Sequence, residues 1–113
     1  MVSLILEIFY KLENNIYNKI LEWASERGIL QSGDAKTQLI KLVEEQGELA
    51  QAILKEDKEE IKDAVGDMIV VLTNLCYFYN LNIPDCVESA YNVIKDRKGK
   101  MINNTFVKDE SSN

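Results

Sequence analysis

No histidine occurs among the 113 residues of the chain, and proline occurs only once. The missing imidazole excludes the usual zinc sites and the Ser-His and Cys-His nucleophilic systems. It also excludes the di-iron carboxylate bundle, which needs a Glu-x-x-His repeat. Glycine is scarce too, at five residues, and a chain poor in both breakers favours long helices over many short strands. Cysteine is limited to Cys76 and Cys86. They have neither Cys-x-x-Cys spacing nor the pattern of a disulfide framework, and read as small buried hydrophobes in a reducing cytoplasm. Long hydrophobic runs are missing as well. The apolar stretch from Leu4 to Tyr10 is interrupted by Glu7, is too short to span a bilayer and lacks a basic leader. It reads as part of the fold or a contact surface, which implies a cytoplasmic protein without a membrane partner.

Positive charge is in the minority, and the net charge is −6. An acidic chain repels phosphate backbones, so duplex nucleic acid is not an expected partner. Carboxylates that hold a divalent cation would reverse the local sign and attract a phosphorylated substrate. What remains is an ordinary globular profile, 46% hydrophobic and 28% charged. The length suits one domain, expected over residues 1–107, with a flexible tail at 108–113.

The pattern predicts four helical segments. The first runs roughly from Leu4 to Arg27, with a break near Asn14-Asn15 and Gly28 as its stop. Gln31-Ser32-Gly33 reads as a loop. Asp34 caps a second helix that reaches about Lys55. Asp57, with Glu60 three residues on, has capping-box-like spacing and opens a third helix to about Tyr79. Asn80 to Ile83 is a turn, and Pro84 suits the first turn of a fourth helix ending near Lys98-Gly99. The polar stretch after Met101 is expected to be loosely held. The short link between the second and third helices makes them an antiparallel hairpin. The expected fold is therefore all-α, a four-helix-type bundle around that hairpin. The third helix, with Met68-Ile69-Val70-Val71-Leu72, should be the most buried and partly covered by another subunit.

A helix turns about 100° per residue. On that wheel Leu39, Leu42, Val43, Leu49, Ala50 and Ile53 form the core stripe of the second helix, with Gln38, Lys41, Glu45, Glu48 and Ala52 along one margin. On the third helix Ile61, Ala64, Val65, Met68, Leu72 and Leu75 face the core. Asp67 lies on a margin there, with Glu60, Asp63 and Asn74 close to the same line. Packing the stripes together brings the acidic margins face to face. Convergent carboxylates repel unless a cation sits among them. With oxygen ligands alone, Mg²⁺ is the natural occupant and Mn²⁺ a substitute. Glu-x-x-Glu is also common on solvated helices, so a helical interaction module with a solvated acidic face is the competing reading. Asp67 weighs against it, because an aspartate embedded in an apolar run is costly unless paired or metal-bound. Gly66 and Gly47 weaken their helices and suggest close approach by a helix or ligand.

In these residues the sequence resembles the MazG-like all-α nucleotide pyrophosphohydrolases of the short phage and bacterial type. The resemblance covers about Leu21 to Val107. It rests on Trp23-Ala24 with Arg27-Gly28-Ile29, on Glu45-Gln-Gly-Glu48, on Asp63-Ala-Val-Gly-Asp67, and on Ile94-Lys-Asp-Arg-Lys-Gly-Lys-Met101. It implies hydrolysis of a nucleoside triphosphate between the α and β phosphates, giving a monophosphate and pyrophosphate. It also implies a homodimer or homotetramer, and Glu45, Glu48, Asp63 and Asp67 as metal-binding and catalytic carboxylates. The family often has glutamate three residues before the second-motif aspartate, where this chain has Ala64. Asp63 or Glu60 must then take that role, and Asp63 is preferred. No Gly-rich phosphate loop is present. Cations for the phosphates are sought in Lys41 and in the basic group Lys95, Arg97, Lys98 and Lys100, whose members equally suit compensation of a helix C-terminus. Trp23, Gln38 and Asn74 are candidate nucleoside contacts, although for Trp23 a core position is preferred to base stacking. A relative acting on a modified-nucleotide or non-nucleotide diphosphate is a further alternative.

Overall fold

A computed structural model describes Leu4 and residues 15–112. The apolar run near the start and the first helix ahead of Asn15 otherwise lie outside the described residues. The chain divides into two compact units, Met1–Asn82 and Ile83–Asn113. The fold is all-α: the described residues form five helices and a single two-stranded hairpin.

In the first unit, α1 (Ile16–Glu26) begins where Asn15 accepts a hydrogen bond from the Asn18 N–H at 2.8 Å. Gly28, at φ +79°, turns the chain in the left-handed region. The segment expected as a loop is instead mostly a single helical turn, α2 (Ile29–Ser32), closed by bonds from Ser32 N to Gly28 O and from Gly33 N to Ile29 O, each 2.9 Å. Asp34 caps α3 (Ala35–Leu54), accepting from Thr37 N at 2.7 Å. Asp57 caps α4 (Lys58–Tyr77), accepting from Glu60 N at 3.1 Å. Between these helices Glu56 takes φ +57°. Its N–H bonds to Ile53 O and that of Asp57 to Ala52 O, a Schellman closure with glutamate in the left-handed place. The connection is so short that α3 and α4 must run antiparallel, and theirs is the most extensive packing between described elements.

Each of these helices carries 3- and 4-residue spacing, but α3 is rotated from its expected orientation. Gln38 and Ala52 are buried, and Leu42, Glu45 and Leu49 are half-buried. Leu39, Val43, Ala50 and Ile53 were expected in the core, yet all four are exposed. The small side chains Ala52 and Ala64 are both buried, Ala52 on the 38–42–45–49–52 line. On α4 the expected Ile61, Ala64, Met68, Leu72 and Leu75 do turn inward, whereas Val65 is exposed. Ala64, Thr73, Asn74 and Cys76 make α4 the helix with the most buried residues among those described.

In the second unit, α5 (Ile83–Ile94) carries Pro84 in its first turn and stops short of the expected Lys98-Gly99. The stretch expected to be loosely held is a hairpin, β1 (Gly99–Ile102) with β2 (Thr105–Lys108), pairing Met101 with Phe106 and Ile102 with Thr105. Asn103 and Asn104 have φ +51° and +67°. A two-residue turn with both central residues left-handed matches the twist of paired strands, and asparagine tolerates that conformation.

Candidate metal centre

Counting outward from Glu56 along both helices, Glu45 stands level with Asp67, and Gln38 with Asn74. The first of these levels is the acidic one. One carboxylate oxygen from each of Glu45, Glu48 and Asp67 lies within 4.8 Å of the others. Glu45 is half-buried, and Oε2 is shielded from solvent without a hydrogen-bond partner. Burial pushes the Glu45 carboxyl above its ordinary value, and the hydrogen bond and charge of Glu48 and the charge of Asp67 push the same way, with Lys41 opposing. An orphaned carboxylate oxygen beside two further carboxylates is a donor set that suits a hard divalent cation. With no nitrogen or sulfur donor among them, the three fit the ion implied by the sequence.

Asp67 is not embedded as expected. It is exposed, and the apolar run Met68-Ile69-Val70-Val71-Leu72 around it is only half-buried. The desolvation cost assigned to Asp67 falls on Glu45, because the rotation of α3 brings Glu45 to its inner line. No neighbour lies within 4 Å of a Cβ built at Gly47 or Gly66, so neither glycine serves close helix packing. Gly66 does border an open pocket of ≈ 540 Å³ between α1 and α4.

Asp63 and Glu60 share a cleft of ≈ 420 Å³ with Glu48, Gln51, Ala64 and Asp67. Neither belongs to the three-carboxylate group. The Glu60 carboxylate lies 3.6 Å from Lys55 Nζ. Lys41 Nζ lies 3.5 Å from Glu44. Gln38 and Asn74 are buried, and Asn74 Oδ1 has no hydrogen-bond partner. Lys95, Arg97 and Lys98 belong to the second unit, in the turn between α5 and β1.

Trp23 is not a core residue among the described residues, since 43% of it is exposed. It lines a second pocket with Lys19, Ile20, Asp67 and Val70. Lys19 and Gln51 line these two cavities although no sequence motif marks them. Lys19 sits one helical turn before Trp23 on α1, and that spacing was the available signal.

A model of the MazG nucleotide pyrophosphohydrolase domain matches residues 34–102. The chain belongs to that family. The match opens on the Asp34 cap and takes in α3, α4 and all three carboxylates of the group. The MazG domain here is also similar to an uncharacterized 18.2 kDa protein from the rep-hol intergenic region of Haemophilus phage HP1, with 37% identity over 60 residues. That alignment covers 53% of this chain and 37% of the phage protein, so the chain spans little more than a third of its relative's length. No solved structure gives a significant match. Among the described residues no helix is long and apolar enough to cross a membrane.

Proposed function

We propose that this MazG domain is a Mg²⁺-dependent nucleoside triphosphate pyrophosphohydrolase. It would cleave an NTP or dNTP between the α and β phosphates, giving the monophosphate and pyrophosphate, with Mn²⁺ as a substitute ion. The observation that carries this reading is the buried, unpartnered oxygen of Glu45 beside Glu48 and Asp67. A solvated acidic face, as in an interaction module, accounts for exposed Glu48 and Asp67. It leaves the desolvated Glu45 oxygen without compensation, and a group of that kind is costly.

Glu45, Glu48 and Asp67 would hold the ion, with Asp63 on the adjoining cleft wall as the fourth carboxylate. Bound there, the divalent ion would neutralise phosphate oxygens and polarise the bond to be broken. The cleft carboxylates are the groups placed to accept the proton that the attacking water loses. Gln51 lines the same cleft and can donate to a phosphate oxygen. Lys41 remains the proposed cationic contact, and Gln38 and Asn74 the proposed amide contacts. A cytoplasmic nucleotide pool is the proposed source of substrate, with neither duplex nucleic acid nor a membrane as partner.

The domain is also proposed to work as a homodimer or homotetramer. Leu39, Ile40, Val43, Ile53 and Leu54 leave one side of α3 apolar and between 53% and 85% exposed. Contiguous exposed apolar surface of this kind marks interfaces. A second copy presenting the same face would bury it by two-fold symmetry.

The deciding experiment measures pyrophosphate release from a panel of ordinary and modified nucleoside triphosphates, with Mg²⁺ and with chelator. Mg²⁺-dependent pyrophosphate and monophosphate in equal amounts support the reading. Release of orthophosphate alone, or no turnover of any panel member, overturns it.

A further inference from the structure

We propose that the hairpin β1–β2 and the basic turn before it form a docking surface for single-stranded nucleic acid. The surface lies in the second unit, whereas the three-carboxylate group belongs to the first, so the proposal goes beyond the reaction proposed above. Residues 95–108 hold Lys95, Arg97, Lys98, Lys100 and Lys108, with Asp96 the one acid among them. That stretch is strongly basic in a chain whose net charge is −6. Every residue of both strands is exposed. A two-stranded hairpin by itself is marginally stable in water, so an occupant of this surface would also stabilise it.

The strand register decides what kind of occupant fits. Side chains alternate along a strand, so Lys100, Ile102, Thr105 and Val107 share one face, and Met101, Phe106 and Lys108 share the other with Gly99. Each face thus interleaves lysine with apolar side chains. A protein partner would have to desolvate those lysines, and protein interfaces are depleted in lysine at their cores. Nucleic-acid interfaces are wet and positively charged, and they accept such a mixture. Phosphates complement the cations, and Phe106 complements the bases. Its ring is seated over Gly99, where a Cβ would stand 2.6 Å from Cζ, yet 48% of the residue is exposed. A ring already held in place loses little freedom when a base stacks on it. The bases of a duplex are covered by their own stack, which is why the occupant is single-stranded. The turn is held as well. Lys98 N–H donates to Ser112 Oγ at 2.8 Å, and Lys98 O accepts from the Asp109 N–H at 2.9 Å. Those bonds fix the backbone that carries the cations beside β1.

The test titrates the full chain, in chelator, against a labelled oligothymidylate of about a dozen nucleotides. The matching duplex, inorganic polyphosphate and phosphatidylglycerol vesicles are run in parallel. Fluorescence anisotropy of the single strand should rise saturably at low salt. The logarithm of the binding constant should fall linearly with that of the salt concentration, by about 0.7 for each phosphate neutralised. Duplex, polyphosphate and vesicles should all bind more weakly. Lys100→Gln combined with Lys108→Gln should flatten the salt slope. Phe106→Leu should weaken binding about 5- to 150-fold, the loss of one base–aromatic stack, with the slope unchanged, and Phe106→Tyr should recover most of it. The lysine variant leaves the ring and the strand pairing in place, so it tests the surface even where Phe106→Leu loosens the hairpin. No saturable binding at low salt overturns the surface, and so does single-strand binding that neither variant alters. Polyphosphate or vesicles bound as tightly as the single strand would show a basic patch without a base contact, and overturn it too. A lysine variant that loses self-association instead of strand binding reassigns the hairpin to a second copy of the chain and overturns the proposal.

Discussion

Glu45 and Asp67 meet across the α3–α4 seam with carboxylate oxygens no more than 4.8 Å apart, and both stand equally far along the chain from Glu56, the left-handed residue that closes the connection. The turn therefore sets the level at which the two residues meet, and the packing of α3 on α4 sets which faces meet. Glu45 meets Asp67 from the desolvated side, and Asp67 meets Glu45 from the solvent side.

This asymmetry would make Glu45 the most sensitive of the proposed ligands. Wild-type chain should gain thermal stability from Mg²⁺, about 2.7 kcal/mol when the ion is at a hundred times its dissociation constant. Glu45→Gln should lose that gain. In chelator, Glu45→Gln should melt no lower than wild type, because it removes a desolvated charge that its neighbours repel. Melting curves with Mg²⁺ and with chelator check both halves. An undiminished Mg²⁺ shift in the variant moves the ion elsewhere.

The ranking of Asp63 and Glu60 is a separate question. Both line the cleft with Asp67. Asp63 is one turn from Asp67, about 40° round the helix, whereas Glu60 is about 10 Å away along the axis and lies beside Lys55. At saturating Mg²⁺, Asp63→Asn should cost orders of magnitude in hydrolysis and Glu60→Gln little. The opposite order would assign the fourth carboxylate to Glu60.

The exposed side of α3 is expected to be covered by a second copy. Val43→Lys places a charge in the middle of that stripe, away from the inner line that carries Glu45. Wild type should sediment as a dimer or tetramer at micromolar concentration, and Val43→Lys should shift it towards monomer. A monomeric wild type across that range would remove the proposed assembly.

Asp34 gives a pH dependence of known sign. Bonds from the backbone and side chain of Thr37 hold its carboxyl below the ordinary 3.8. A depressed carboxyl contributes stability above its unfolded pKa and loses that contribution as pH falls through its folded value. Asp34→Ala should therefore lower the melting temperature at neutral pH, and the difference from wild type should shrink once acid has protonated the cap. An equal difference at both pH values would assign the effect to the lost hydrogen bond alone. Melting curves at neutral and strongly acidic pH measure it.

Much of this protein is decided locally, and the sequence by itself determined that part. Asp34, Asp57 and Pro84 start their helices because capping and proline geometry act within one turn. The acidic residues and their spacing are a matter of order along the chain. Only the tertiary structure chose between two neighbouring lines on α3. Leu39-Val43-Ala50-Ile53 and Gln38-Leu42-Glu45-Leu49-Ala52 both keep helical spacing, and hydrophobicity favours the first. Packing took the second, with Ala52 and Ala64 the small side chains buried on the two helices. That rotation desolvated Glu45 in place of Asp67 and left the more apolar line outside. The exposure of Trp23 beside Asp67 was decided in the same way, since it depends on how α1 lies against α4 and no spacing along one helix contains that information.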